Sequence, residues 1–146
     1  MKCKHCNQTF LRTVVNGVEH PQQVFCSKKC SRAALYQKNT LDPKWRMKKL
    51  LAMAKNRAKT KGLPFDLTIE HMMELWDGSC AISGVELDLE PAGGRVARRA
   101  PSIDRIIPEY GYVQGNIRIV TYQVNVAMSE FGEQGLRKLV EEVAAG

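Results

Sequence analysis

Asp104 and Asn125 offer oxygen atoms to a hard cation, and Cys3, Cys6, Cys26 and Cys30 offer sulfur to a soft one. Asp104 lies in Ser102-Ile103-Asp104-Arg105-Ile106, followed by Gly111-Tyr112, Gly115-Asn116-Ile117-Arg118, Val120 and Asn125. The pattern reads as strand, loop, strand, helix, with a carboxylate at a strand end and an amide oxygen on the helix. Mg²⁺ or Mn²⁺ held through Asp104 and Asn125 keeps open positions for water and a phosphate. That arrangement suits metal-assisted cleavage of a phosphodiester.

The cysteines fall into two close pairs, Cys3-x-x-Cys6 and Cys26-x-x-x-Cys30, separated by nineteen residues. This spacing predicts a structural four-thiolate zinc site. The alternative, a redox pair at Cys3-x-x-Cys6, lacks the strand-then-helix context that such motifs use. Asn16-Gly17 between the pairs signals a type I′ hairpin turn. Ser27 is placed to cap a helix through Leu35. Knuckle, hairpin and helix suggest a zinc ribbon or treble clef over residues 1–36. So short a segment has too few apolar side chains to fold by burial, and bound metal would supply the difference. Cys80, the fifth cysteine, reads as a small buried residue, and no second zinc is expected beside it.

Charge divides the chain. The net charge is +7, but residues 1–62 hold fifteen Lys/Arg against two Asp/Glu, and residues 63–146 hold seven against thirteen. A half with net +13 joined to one with −6 points to a polyanion partner, double-stranded DNA, gripped in a salt-sensitive way. Within the basic half, Asp42-Pro43 starts a helix that Gly62 ends. Met47, Leu50, Leu51, Ala54 and Ala58 recur at helical spacing, with lysines and arginines on the remaining faces. Lys48, Lys49, Lys55, Arg57 and Lys59 are the candidate DNA contacts on this helix. A merely solvated face is the alternative.

Residues 37–43 read as a linker, and residues 44–146 as the main domain. Phe65–Thr68 reads as a short strand, Ile69–Trp76 as a helix capped by Thr68, and Val85–Leu89 as a strand. Residues 91–100 read as a basic loop whose Arg95, Arg98 and Arg99 precede the Asp104 strand, and Arg118 joins them as a candidate phosphate contact. Leu136, Leu139, Val140 and Val143 form the apolar stripe of a C-terminal helix, expected to pack into the core.

The stretch from Cys80-Ala81-Ile82-Ser83-Gly84 through Ser102–Ile106, Gly111-Tyr112, Gly115-Asn116 and Asn125 resembles the ββα-metal core of the HNH endonucleases, in particular their small phage-type members. The likeness reaches back to about Lys48. It implies an α+β fold with a ββα-metal core at about residues 101–130, and catalytic roles for Asp104, Arg105, Asn116 and Asn125. The family usually reads Asp-His where this chain has Asp104-Arg105, and its histidine takes a proton from the attacking water. Arginine stays protonated, so Arg105 is expected to clamp the phosphate instead. The proton acceptor is left open among Glu109, Tyr110, Tyr112, His71, solvent and the substrate phosphate. Asn116 orients the catalytic loop or the water by the same resemblance, against the alternative that it satisfies turn backbone.

These readings converge on a metal-dependent DNA endonuclease, a nickase or homing enzyme, acting as a monomer or homodimer. Two alternatives remain: a zinc-containing DNA-binding protein without cleavage, and an RNA-binding ribosomal-type zinc ribbon. No run of eighteen apolar residues and no apolar signal core occurs, so neither a membrane span nor secretion is expected. An odd number of cysteines paired by spacing suits a reducing compartment: the cytoplasm of a bacterial host, if the chain is phage-encoded.

Overall fold

The computed structural model describes residues 1–90 and 96–146. The chain divides into two compact units, Met1–Leu41 and Asp42–Gly146. Among the described residues the architecture is mixed α+β, with two two-stranded sheets and five helices.

In the first unit the chain turns at Cys3–Asn7, where the Asn7 N–H donates to the Cys3 carbonyl over 3.0 Å. Strands β1 (Val14–Val15) and β2 (Val18–Glu19) pair antiparallel through Asn16 and Gly17. Both turn residues have positive φ, 52° and 77°, the conformation that an Asn-Gly pair adopts at least cost. Helix α1 (Lys28–Thr40) is capped by Ser27, whose hydroxyl accepts from the Cys30 N–H over 3.2 Å. Across residues 37–43, which hold the boundary between the two units, α1 runs on to Thr40, Leu41 caps it and Asp42 caps the next helix. Gln37 and Lys38 are good helix formers, and nothing interrupts the helix before Asp42-Pro43.

The second unit begins with helix α2 (Pro43–Lys61). The Asp42 carboxylate accepts from the Lys44 N–H over 3.0 Å, and Gly62 closes the helix at φ 63°. Met47, Ala54 and Ala58 are buried, with Leu50 and Leu51 packed beside them. Helix α3 is Ile69–Glu74, two residues shorter than expected, and the Thr68 hydroxyl caps it through the His71 N–H at 3.2 Å.

Strands β3 (Pro101–Arg105) and β4 (Ile117–Thr121) form an antiparallel pair that sets Ile103 opposite Ile119 and Asp104 opposite Arg118. Alternation turns Ile103, Ile117 and Ile119 into the core and leaves Asp104 and Arg118 half-buried on the other face. Helix α4 (Tyr122–Met128) follows β4 directly, capped by the Thr121 hydroxyl. Ser129 and Gly132, both at positive φ, turn the chain into α5 (Gly132–Ala145).

Three expectations are corrected. Phe65–Thr68 makes a single bridge, Phe65 to Tyr112, and Val85–Leu89 a single bridge, Ser79 to Glu86, because among the described residues neither segment has a neighbouring strand long enough to extend the ladder. The stripe of α5 is not core: Leu139, Val140 and Val143 are 54%, 58% and 73% exposed.

Candidate functional site

The first candidate site is the cysteine cluster. The Cys3–Asn7 turn and the start of α1 bring Cys3, Cys6, Cys26 and Cys30 together, their sulfur atoms all within 4.8 Å of one another. Cys26 Sγ lies 3.6 Å from Cys6 Sγ and 3.4 Å from Cys30 Sγ. A tetrahedral zinc shell with Zn–S bonds of about 2.3 Å sets its sulfurs about 3.8 Å apart, so the cluster could hold a metal such as zinc. The Cys26 N–H also points at Cys3 Sγ over 3.4 Å.

The thiols already differ in acidity. Burial works to raise Cys3, but the backbone N–H groups of Cys6, Cys26 and His5 outweigh it and bring the thiol down to about 6. Cys26 is pushed up to about 12 by its hydrogen bonds with Cys30 and Cys6 and by burial. A crowd of thiols with no cation resists losing its last protons, and a bound divalent ion reverses that resistance.

The second site is a cleft of about 470 Å³ in the Asp42–Gly146 unit. Asp104 and Arg105 enter it from β3, Arg118 from β4, Asn125 from α4, and Arg57 and Lys61 from α2. Arg118 Nε donates to Asp104 Oδ2 at 2.7 Å, and its Nη1 donates to Glu133 of α5 at 2.5 Å. Burial alone would lower the Arg118 pKa, but the two carboxylates reverse this and raise it. Glu133 is held below the usual glutamate range by Arg137 first and Arg118 second.

Asn125 Nδ2 donates to Ser102 Oγ at 2.7 Å and to the Ile103 carbonyl at 3.1 Å. The amide nitrogen is thereby committed to β3, and among the described residues nothing donates to its oxygen. One carboxylate oxygen of Asp104 is likewise left without a partner there. Two oxygen donors lining one cleft are a donor set of the kind Mg²⁺ or Mn²⁺ takes, with the remaining positions filled by water or phosphate.

Asn116 is 6% exposed and does not line the cleft. Its Oδ1 accepts from the Ile107 N–H at 3.0 Å, and its Nδ2 donates to the carbonyls of Ile107 and Gly111 at 2.8 and 2.9 Å. It clasps the loop between β3 and β4. Pro64 closes the other side: it approaches Gly111 so closely that a Cβ there would stand 2.5 Å from the Pro64 carbonyl oxygen. Gly111 also has φ 76°, so the position needs glycine twice over.

Arg105 Nη1 donates to the Pro108 carbonyl at 2.8 Å, and the guanidinium lies 5.1 Å from the centre of the Tyr112 ring. It is anchored at the cleft edge with donors to spare. Of the side chains considered as proton acceptors, Tyr112 lines the cleft and His71, Glu109 and Tyr110 do not. His71 Nε2 is sealed from solvent without a partner among the described residues.

The expected DNA contacts separate. Lys49 and Arg57 look onto clefts, whereas Lys48, Lys55 and Lys59 stand about 180° around α2 from that face and are exposed to solvent. Arg98 and Arg99 are exposed, and their backbones are tied in place by bonds to Gln123 and Asp88. Arg95 lies outside the described residues. Arg118 has its guanidinium committed to two carboxylates. Arg46 and Lys61, absent from the expected contacts, line the clefts. Their helical phase with Arg57 is the signal that would have found them.

Among the described residues no helix is long and apolar enough to cross a membrane. Comparison with family models, curated proteins and solved structures gives no match.

Proposed function

We propose that the Asp42–Gly146 unit is a divalent-metal-dependent DNA endonuclease of the HNH kind, and that Met1–Leu41 is a four-thiolate zinc module, of the zinc-ribbon or treble-clef type, that adds to the grip on DNA. The observation that carries the nuclease reading is the meeting of Asp104 and Asn125 in one cleft with Arg57, Lys61 and Arg105. Hairpin and following helix, β3–β4–α4, supply these ligands in the order a ββα-metal core would use.

Asp104 and Asn125 would hold Mg²⁺ or Mn²⁺, whose chemistry when bound is to offset charge developing on the scissile phosphate. Arg118 fixes the rotamer of Asp104, and Ser102 with the Ile103 carbonyl fixes that of Asn125. Arg57 and Lys61 bind the flanking phosphates as mobile point contacts. Arg105, steadied by Pro108 and Tyr112, presents its remaining N–H groups to the phosphate under attack. No histidine lines the cleft among the described residues, which leaves Tyr112, solvent and the substrate phosphate as acceptors of the proton of the attacking water. Where solvent takes it, turnover is slow and rises from about pH 6 to about pH 9.

A supercoiled plasmid tests this with wild-type protein and Asp104→Ala in Mg²⁺, Mn²⁺ or EDTA. The expected result is metal-dependent nicking, absent in EDTA and lost by at least about a hundred-fold in the variant, with DNA affinity retained. Cleavage that survives Asp104→Ala removes the residue from the mechanism. The second reading, DNA binding without cleavage, draws on the Arg118–Asp104 ion pair, which occupies one of the two carboxylate oxygens. It is favoured if DNA is bound and no metal supports nicking.

A further inference from the structure

A second cleft, of about 410 Å³, opens beside the first and shares Arg57, Ile103 and Tyr112 with it. Its walls differ in kind from those of the metal cleft: among the described residues no carboxylate lines it, and Leu50, Met53, Ile103 and Tyr122 make much of its surface apolar. Cations rim it from α2, at Arg46, Lys49 and Arg57. With Lys61 they form one stripe along the helix, about 22 Å from end to end at 1.5 Å per residue.

The two clefts treat their arginines differently. Arg118 and Arg105 are bonded within the protein. Among the described residues Arg46 and Arg57 make no ion pair or side-chain hydrogen bond, and Arg46 Nε is sealed from water with no acceptor among them. Arg46 Nε is out of reach of a ligand, so what the cleft offers an acceptor from outside the chain is the guanidinium of exposed Arg57 and the accessible part of half-buried Arg46. Tyr122 is 41% exposed, yet its backbone is pinned: its N–H donates to the Ala100 carbonyl at 2.7 Å, at the junction of β4 and α4. Ser102, also in the wall, accepts from Asn125 and keeps its own hydroxyl proton to donate.

We propose that this second cleft receives an unpaired nucleobase of the DNA strand whose neighbouring phosphate lies in the metal cleft. The base stacks on Tyr122 over the Leu50 and Met53 side chains. Arg46 and Arg57 take its phosphate, and Ser102 donates to its edge. A base inside a regular duplex cannot enter, so the cleft selects for bulged, mismatched or single-stranded nucleotides beside the cut. Because Ser102 also holds Asn125, a seated base steadies one of the proposed metal ligands. The proposal rests on the DNA-cleaving reading above but is tested apart from cleavage.

The test is binding of the zinc-loaded full chain, in the Asp104→Ala background without Mg²⁺, to duplexes carrying 2-aminopurine either in a one-nucleotide bulge or fully paired. The expected result is about ten-fold tighter binding of the bulged duplex, with the fluorescence of the bulged base changed on binding. Tyr122→Ala should remove that preference and the fluorescence change, with affinity for the paired duplex retained; the half-exposed Met53→Glu should, separately, remove them as well. Tyr122→Phe should keep them. Equal affinity for the two duplexes, no binding to either, or a preference that survives both Tyr122→Ala and Met53→Glu overturns the proposal. A bulge preference, with the wild-type protein cutting neither the bulged duplex nor a plasmid in Mg²⁺ or Mn²⁺, would sink the nuclease reading and leave the base pocket standing.

Discussion

Between residues 1 and 41 the one buried side chain among those described is a cysteine, Cys3; between 42 and 146 the buried set is Met47, Met72, Val120, Ile119 and their neighbours. The first unit has almost no apolar interior, so its four sulfurs must be drawn together by something other than burial. The second encloses a core, and its candidate site is a set of polar side chains braced against that core. What holds the fold and what would perform the function are the same atoms in the first unit. In the second they are neighbours. A change at a cysteine therefore removes structure and function at once, whereas a change at Asp104 should separate them.

The largest test of that contrast is metal removal. A zinc-selective chelator, or Cys26→Ser, should unfold residues 1–41 completely, because the binding free energy of such sites, about 10–16 kcal/mol, is folding free energy. The Asp42–Gly146 unit should keep its own cooperative thermal transition. Amide exchange followed region by region checks this, and a first unit that stays protected without metal would refute the account of how it folds.

Next in size is Asn116→Ala. It leaves the Ile107 N–H and the carbonyls of Ile107 and Gly111 without their partner, at about 1–3 kcal/mol for each buried group that water cannot reach. Urea unfolding should show the loss in the second unit alone. A variant as stable as wild type would mean that the loop does not depend on this clasp.

Smaller again is the difference between two faces of one helix. Arg57→Ala or Lys61→Ala should each weaken DNA binding and lower the slope of log affinity against log salt by about one, while Lys55→Ala and Lys59→Ala should change the slope by less than half of that. Equal slopes would put the DNA on neither face in particular.

The smallest effect is a pH dependence. Glu133 sits below the usual glutamate range because Arg137 and Arg118 favour its charged form. A depressed carboxyl contributes stability that is complete above its ordinary value and is lost as pH falls through the lowered one. Acid should therefore loosen α5 from β4 before it unfolds the second unit. Glu133→Gln should abolish that early acid step, seen as a flat melting temperature across the same pH interval.

The local features were legible because neighbouring residues fix them. Cys3-x-x-Cys6 and Cys26-x-x-x-Cys30, the Asn16-Gly17 turn, the Ser27, Asp42 and Thr68 caps and the Gly62 stop each act within a few bonds along the chain. Residues 37–43 were less legible, because a polar segment with no Gly or Pro before Pro43 reads as linker and as helix equally well. Val85–Leu89 alternates like a strand, but a strand needs a partner, and among the described residues none of sufficient length comes beside it.

For the α2 stripe Met47, Leu50, Leu51, Ala54 and Ala58, helical period was enough to name a buried face, yet basic residues flank that face on both sides. Only the packing of α2 against β3 decided that Arg46, Arg57 and Lys61 look onto the clefts while Lys48, Lys55 and Lys59 do not. The same holds for Arg118. Its charge was visible, but its partner was set by a β register that puts it opposite Asp104, fourteen positions away, and by α5 bringing in Glu133. Sequence by itself determined which atoms could bind metal or phosphate, since that is a property of side-chain chemistry. Tertiary structure decided which of those atoms are already taken, since that depends on distances between segments that no local spacing encodes.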